Sequence, residues 1–441
     1  MTEIKLIPDE YRTDHLFLLV GANPLPNYVA ARQLLKPGGT LYLVHSKSGD
    51  TTSAVAERLK MVLTDCIADL ATEMVPVDES NWQSVCDGIK KWIPKRGQVG
   101  LHYTGGTKVM STHVYRTLEK ANLTPAPIFS YLNARTMAIE IEGKGTGLSN
   151  NFSLERWPKC NETDLPPSIV ELANLHRANL KDNLPDKTII LPELAYALAL
   201  ACSPANKKDS PKKAAEAWRD WCNDVLKKRA RPQRANGTDG GIHLGEVEIK
   251  WPSEPRQEAA LRTAFGITDP TLRLDLEFAR RSTEFTSIGQ LCSWLNGFWL
   301  EHYVLQCIEN IANRNQDIHD YGRNLDTDVA STKNKANNDD DSLAIHDFEI
   351  DIAAMRSYRL FAISCTTSVD KARLKLFKAM IRTRQLGGDE ARVALIAPVG
   401  NSKQSEENIR DLWQAHDVVR VFGPERWPRL ERGLEKWFMG K

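Results

Sequence analysis

Five short apolar runs, separated by stretches of helical character, constrain the fold of the first third of this chain. They lie at residues 16–20, 40–44, 73–77, 99–103 and 127–131. Short apolar strands that alternate with helices are typical of a parallel β-sheet packed between helices. The sequence therefore predicts an α/β fold built on a parallel sheet.

Small and hydrogen-bonding residues follow three of these runs. Ligands of open parallel sheets bind where the carboxyl ends of the strands meet the following helices. Glycines that open a helix expose backbone N–H groups, which favour phosphate. The residues concerned are Gly21, Ala22, Asn23, Ser46, Lys47, Ser48, Thr104, Gly105, Gly106, Thr107 and Lys108. The alternative is a tight strand-to-helix turn that needs glycine without binding anything.

Two acids interrupt an apolar strand pattern in the last third of the chain. Glu349 and Asp351 alternate with Ile350 and Ile352, so both carboxylates are expected on one face of the strand. Unpaired carboxylates at close range are costly, and Mg²⁺ or Mn²⁺ is a common resolution because both ions prefer carboxylate oxygen. The alternative is the exposed face of an amphipathic strand.

Other charged residues extend this pattern. Glu301 occupies a core position in an apolar helical stripe, where an acid must pair with a base or join a metal site. A second strand follows the acids at residues 360–365. Lys371, Lys375 and Lys378 then recur at i, i+4 and i+7 on a predicted helix, although a solvated helix face would show the same spacing.

These acids, the strand pair and the lysine-bearing helix together resemble the core of PD-(D/E)xK, restriction-endonuclease-like nucleases. The resemblance implies Glu301, Glu349 and Asp351 as metal ligands for Mn²⁺ or Mg²⁺. That family places Glu-x-Lys at the end of the second strand, whereas this chain has Ser364 and Thr366 there. A lysine that has migrated to the next helix would repair the pattern. Lys375 is preferred to Lys371, and a catalytically dead nuclease fold is the alternative.

The amino-terminal third, with Gly-Gly-Thr-Lys opening a helix, resembles a CARF domain, the Rossmann-like sensor of CRISPR-associated proteins. The resemblance implies a homodimer that binds cyclic oligoadenylate, cyclic tetra-adenylate in particular, across its twofold axis. A CARF sensor joined to such a nuclease resembles the ancillary nucleases of type III CRISPR systems, which implies antiviral cleavage of DNA or RNA on allosteric activation. The expected domains are a sensor at 1–160, a connecting region of uncertain fold at 161–285 and a nuclease at 286–441.

Composition adds weaker constraints. The chain has 441 residues and a net charge of +1, so its length suits two or three domains and no global basic field indicates nucleic acid. No apolar run reaches bilayer length, and no signal peptide is recognisable at the amino terminus. The eight cysteines show no CxxC pairing. These features predict a cytoplasmic protein with reduced cysteines and no membrane partner.

Overall fold

The computed structural model contains two β-sheets, each covered by helices. It describes the chain in separate ranges. These are residues 7–47, 50–142, 150–158, 165–176, 178–180, 185–206, 208–227, 247–274, 285, 288–329, 348–413 and 418–440.

The first sheet has seven strands in the order β3-β2-β1-β4-β5-β6-β7. Strands β1 to β5 run parallel, whereas β6 and β7 add antiparallel edges. The strands are β1 (Thr13–Leu19), β2 (Leu35–Ser46), β3 (Ala71–Val77), β4 (Val99–His102), β5 (Ile128–Asn133), β6 (Ala138–Ile141) and β7 (Asn150–Ser153). The connecting helices are α1 (Leu25–Leu34), α2 (Asp50–Cys66), α3 (Trp82–Lys90) and α4 (Lys108–Glu119).

Apolar side chains cover both faces of this sheet. In β1, Leu16 and Leu18 face the cluster formed with α1 and α2, while Phe17 and Leu19 face the cluster formed with α3 and α4. A strand that buries both faces reads as a continuous apolar run, which is why the sequence identifies the strands of this sheet. All five predicted strands are present and parallel, and the predicted α/β fold is confirmed.

The second sheet has six strands in the order β15-β14-β13-β12-β11-β8. Its antiparallel part joins β8, β11, β12 and β13, and β13 continues in parallel into β14 and β15. The strands are β8 (Ala178–Leu180), β11 (Ile318–Val329), β12 (Phe348–Arg356), β13 (Arg359–Cys365), β14 (Arg392–Ile396) and β15 (Val419–Phe422). A separate two-stranded ribbon contains β9 (Val247–Ile249) and β10 (Leu272–Leu274).

The remaining helices lie around the second sheet and in the region that precedes it. They are α5 (Ile169–Leu175), α6 (Pro192–Ala201), α7 (Lys213–Trp221), α8 (Pro255–Phe265), α9 (Ile288–Ser293), α10 (Trp299–Arg314), α11 (Val369–Gly387), α12 (Ser402–Trp413) and α13 (Leu430–Phe438). Helices α6, α7 and α8 share one apolar core with α10 and with strands β12 and β13. Much of the connecting region therefore packs as part of the second body.

The turn between β12 and β13 is buried against the first sheet. Arg356, Ser357, Tyr358 and Arg359 are each less than one-tenth exposed. Tyr358 joins the apolar cluster of the first sheet, and the Arg359 guanidinium donates to the Ala134 carbonyl at 3.2 Å. The strand pair that carries Asp351 thus ends in direct contact with the first sheet.

The sequence was misleading at one boundary. The polar composition of residues 323–341 predicts a loop, yet β11 continues to Val329. Pairing with β12 on one side and β8 on the other supplies the hydrogen bonds that stabilise this polar strand. Residues 330–347 lie outside the described ranges. Among the helices that the structure describes, none is both long and apolar enough to cross a bilayer.

Candidate active site and activator pocket

Helix α11 brings Lys375 onto Asp351. The Lys375 ammonium donates to both carboxylate oxygens of Asp351, at 2.9 Å and 3.1 Å, and to the Cys365 carbonyl oxygen at 2.9 Å. Helix α11 starts at Val369, four residues after Cys365, the last residue of β13, so its second turn passes beside the end of the sheet. The position that sequence reasoning assigned to a displaced lysine is therefore beside the predicted acid.

Asp351 is held by the neighbouring strand as well. The Cys365 N–H donates to Asp351 Oδ2 at 2.6 Å, and the Ser364 hydroxyl donates to the same oxygen at 3.1 Å. Ser364 is one of the two residues that depart from the nuclease pattern, and here it supports the acid. Thr366 instead accepts the Ser368 N–H at 3.1 Å in the turn that leads into α11.

Glu301 is the second buried acid of this cluster. Only 7% of Glu301 and 6% of Asp351 are exposed. Burial, reinforced by the Asp351 charge, raises the pKa of Glu301 well above its ordinary value, although Lys375 and Arg323 act in the opposite direction. Glu349 differs from both because it lies at the surface, so the predicted pair of Glu349 and Asp351 has one exposed and one buried member.

The charge of Lys375 is retained in this cluster. Burial would lower the pKa of the ammonium, but the Asp351 charge, its hydrogen bonds and the Glu301 charge together raise the pKa. A cation is therefore stable between the Asp351 carboxylate and the Cys365 carbonyl, close to Glu301.

The oxygen atoms around this cation match the preferences of Mg²⁺ or Mn²⁺. In the described ranges, no group of three His, Cys, Asp or Glu side chains converges as a metal site. Asp351, the Cys365 carbonyl and Glu301 nevertheless offer only oxygen donors at a position already suited to positive charge, which fits a hard divalent cation. Such an ion would require Lys375 to move away from Asp351.

The predicted activator residues lie around the carboxyl ends of β1, β2 and β4. Gly21 packs against the 104–107 loop, since a methyl group on it would come within 3.1 Å of the Gly106 nitrogen. A side chain on Gly105 would overlap the Leu19 carbonyl, and Gly106 has a φ of +71°. Both glycines are therefore required by the geometry of this turn. Ala22 is exposed beside Gly21.

Helix α4 begins in this loop with a side-chain cap. The Thr107 hydroxyl accepts the Met110 N–H at 3.2 Å, and Lys108 is exposed in the first turn. At the end of β2, which β1 separates from β4, Ser46 is buried, whereas Lys47 is exposed. Ser48 lies outside the described residues. The exposed cations Lys47 and Lys108 and the amino terminus of α4 make this edge of the sheet suitable for an anionic ligand.

Sequence reasoning missed His102, the residue that supports the loop from below. Its Nδ1 lies 3.1 Å from the Ser130 hydroxyl and its Nε2 lies 2.9 Å from the Thr104 hydroxyl. Thr104 also accepts the Leu132 N–H at 2.6 Å. Burial lowers the pKa of His102 to about 3, so the imidazole is neutral. The sequence signal that could have identified His102 is its place at the end of a buried strand, immediately before the glycine-rich loop.

Two solved structures share this fold over almost the whole chain. Protein VC1899 from Vibrio cholerae is 14% identical, with a TM-score of 0.64, and the match covers 97% of this chain and 98% of that protein. Can2 from Sulfobacillus thermosulfidooxidans, solved in complex with cyclic tetra-adenylate, is 17% identical with a TM-score of 0.58 and coverage of 96% and 97%. The resemblance found in the sequence is thus confirmed at the level of the fold. No protein-family model and no curated protein matches the chain.

Proposed function

We propose that this chain is a nuclease activated by a cyclic oligoadenylate, with cyclic tetra-adenylate as the activator, and that it acts on DNA or RNA in type III CRISPR defence. The contact of Lys375 with Asp351 is the observation that carries the proposal. It supplies the lysine that the sequence pattern lacks, at the acid where a metal-dependent nuclease requires one. The fold shared with Can2, which binds cyclic tetra-adenylate, supports the choice of activator.

The proposed chemistry is hydrolysis of a phosphodiester. Asp351 and Glu301, with Glu349 nearer the surface, would hold a Mg²⁺ or Mn²⁺ ion, which would lower the pKa of a bound water and neutralise charge on the phosphate. Lys375 would turn from Asp351 to the phosphate and stabilise the negative charge that grows as water attacks. Ser364 and the Cys365 N–H would keep the Asp351 carboxylate in place throughout.

Activation would take place between two copies of the chain. Cyclic tetra-adenylate has a symmetry compatible with a twofold axis, and each subunit would present its 21–23, 46–48 and 104–108 loops to the ring. Binding activates only if the ligand prefers one arrangement of the dimer. The buried β12–β13 turn offers a direct route, since Arg359 touches the first sheet while the same strands position Asp351.

The decisive experiment is a cleavage assay with labelled oligonucleotides and Mn²⁺, with and without cyclic tetra-adenylate. Cleavage that requires both the metal and the activator supports the proposal. Absence of cleavage under every condition would favour the alternative in which the nuclease fold only binds nucleic acid or a partner.

A second activity, cleavage of the activator itself, is favoured by one observation. Thr104 is exposed at the proposed ring-binding loop, and its hydroxyl is fixed by His102 Nε2 at 2.9 Å and by the Leu132 N–H at 2.6 Å, where it would contact a phosphate of the bound ring. Labelled cyclic tetra-adenylate incubated with the protein tests this possibility. Linear products from the wild type, and none from Thr104→Val, would identify a ring nuclease.

A further inference from the structure

A cavity of about 430 Å³ lies on the side of α10 that faces away from the candidate active site. Its walls come from the start of α6, the middle of α10 and the start of α13. With 3.6 residues per turn, the lining residues Tyr303, Gln306 and Asn310 lie about 140° to about 200° around α10 from Glu301. The helix therefore separates this cavity from the acid cluster, and the volume of the cavity is within the range of small-molecule pockets.

An aromatic ring is accessible at this cavity. Tyr196 in α6 is 48% exposed, and its ring centroid lies 6.1 Å from that of Tyr303, with an angle of 47° between the two rings. Tyr303 is buried, and its hydroxyl donates to the Trp427 carbonyl at 2.5 Å, so its ring is fixed beside Tyr196. Tyr196 thus has a rigid neighbour and keeps nearly half of its surface available for stacking of a flat ligand.

Three polar side chains of the lining have hydrogen-bonding groups to spare. Within the ranges that the structure describes, no hydrogen bond or ion pair engages the side chains of Gln306, Arg429 or Arg432. Gln306 is half-buried, and both arginines are exposed. An amide offers a donor and an acceptor side by side, and a guanidinium group offers parallel donors that match phosphate oxygens.

The two acids of the lining differ in their partners. The Glu431 carboxylate accepts from the Asn310 amide at 2.9 Å and pairs with Arg314 at 2.5 Å, so its charge is already neutralised. Glu193 is exposed and forms no ion pair in the described chain. The remaining charge of the lining is therefore that of two guanidinium groups and one carboxylate, which favours an anion. An accessible carboxylate can also accept hydrogen bonds from the hydroxyls of a ribose.

We propose that this cavity binds a ribonucleotide with an adenine base and one phosphate, of which adenosine 5′-monophosphate (AMP) is the simplest. The base would stack on Tyr196, and the Gln306 amide would bind its N6 amino group and N7. Glu193 would accept the ribose hydroxyls, and Arg429 and Arg432 would hold the phosphate. The inference goes beyond the proposed nuclease function, because these residues lie neither in the acid cluster nor in the activator loops.

Calorimetric titration of the full chain with AMP tests the cavity directly. Tyr196→Ala should weaken the affinity about tenfold, the size of one lost stacking contact, while Tyr196→Phe should retain it. Gln306→Leu should lose a preference of about tenfold for AMP over inosine 5′-monophosphate, which carries an oxygen in place of the N6 amino group. Arg429→Ala combined with Arg432→Ala should lower the affinity for AMP to that for adenosine, because the phosphate then has no cationic partner.

Matched controls separate the cavity from general effects and from the sensor. Trp82→Ala removes an exposed aromatic ring from α3, and Arg96→Ala with Arg116→Ala removes two exposed guanidinium groups from the region of the first sheet. Both controls should bind AMP as the wild type does. Gly106→Val alters the predicted activator loop and should also leave the affinity for AMP unchanged.

The outcomes distinguish this site from the proposed function. No binding of millimolar AMP to the wild type, or equal affinities in the wild type and Tyr196→Ala, refutes the cavity whether or not the protein cleaves nucleic acid. A loss of affinity in Gly106→Val that Tyr196→Ala does not share would assign the nucleotide to the sensor and equally refutes the cavity. Weaker binding in Tyr196→Ala alone, in a protein that never cleaves, leaves the cavity standing and refutes the nuclease.

Discussion

Asn23, in the loop between β1 and α1, lies directly against Gly388, at the end of the helix that carries Lys375. A methyl group on Gly388 would overlap the Asn23 amide nitrogen, and Gly388 has a φ of +66°. Asn23 Oδ1 accepts the Leu25 N–H at 3.0 Å and lies 3.3 Å from His176 Nε2. A residue predicted from sequence to contact the activator therefore touches α11, whose second turn reaches Asp351.

Gly388→Ala should weaken the coupling between activator and cleavage. The added methyl group forces apart Asn23 and the end of α11, so the ratio of activated to unactivated cleavage rates is expected to fall severalfold. Gly266→Ala is the matched control, since Gly266 has a φ of +64° and nothing within 4 Å of the added group. Gly266→Ala should lose about 1 kcal/mol of unfolding free energy from left-handed backbone strain. Gly388→Ala should lose more, because the φ of +66° and ψ of −154° at Gly388 form a conformation that is essentially confined to glycine. Equal activation ratios in the two variants would exclude a role for the contact.

Asp351→Ala should abolish cleavage and leave activator affinity intact. Asp351 is the acid on which Lys375, Ser364 and Cys365 converge, and loss of a metal ligand removes both water activation and charge neutralisation. The rate should drop by about a thousandfold or more, within the range that such stabilisation supplies. Calorimetric titration with cyclic tetra-adenylate measures the affinity. A weakened affinity would contradict the separation of the two sites.

Lys375→Ala should remove cleavage while Mn²⁺ still binds. The ammonium acts on the phosphate, whereas the metal is held by oxygen atoms that the substitution leaves in place. Without the Lys375 ammonium, no cationic side chain at this position competes with Mn²⁺ for the Asp351 oxygens, so the affinity for Mn²⁺ is expected to rise. Lys371→Ala and Lys378→Ala are the controls and should keep kcat, because Lys375 makes the contact with Asp351. A normal kcat in Lys375→Ala would require a different group to stabilise the charge.

The sequence predicted those parts of the site for which the signal lies in a short stretch of chain. Lys375 could be chosen because helical spacing from the end of β13 directs one lysine back toward the strand, and Asp351 because an acid in an apolar strand has few stable environments. The exposure of Glu349 was not predictable, since strand alternation gives a shared face but not the depth of each position. The Asn23–Gly388 contact joins residues far apart in sequence, and no local pattern encodes such a pair.

The 104–107 loop provides a test of the activator pocket. Gly106→Val should raise the activator concentration needed for half-maximal cleavage and leave the saturated rate unchanged, because a side chain there would press on Leu19 and Met110 and distort the loop that faces the phosphate. Gly38→Val is the matched control, since Gly38 also has a φ of +71° but nothing within 4 Å. Lys108→Ala should shift the activation curve in the same direction. If all three curves coincide with that of the wild type, the activator binds elsewhere.

His102 should make the protein less stable in acid. Its pKa is about 3 in the fold because of burial, whereas an exposed histidine titrates near 6.5, so below pH 6.5 the unfolded chain takes up a proton that the folded chain refuses. This contribution is complete above pH 6.5 and is lost progressively toward pH 3, by about 2 kcal/mol at pH 5. His102→Gln should therefore lose less unfolding free energy than the wild type between pH 7 and pH 5.

Urea denaturation at the two pH values measures this difference directly. The control is Thr117→Val, which removes a buried hydroxyl that donates to the His113 carbonyl but no titratable group, and should show the pH dependence of the wild type. His176 and His302 are also buried with lowered pKa values, so some acid sensitivity persists in His102→Gln. An identical loss of stability in His102→Gln and wild type would mean that the imidazole becomes protonated within the fold, and that the Ser130–His102–Thr104 chain under the activator loop is not held neutral.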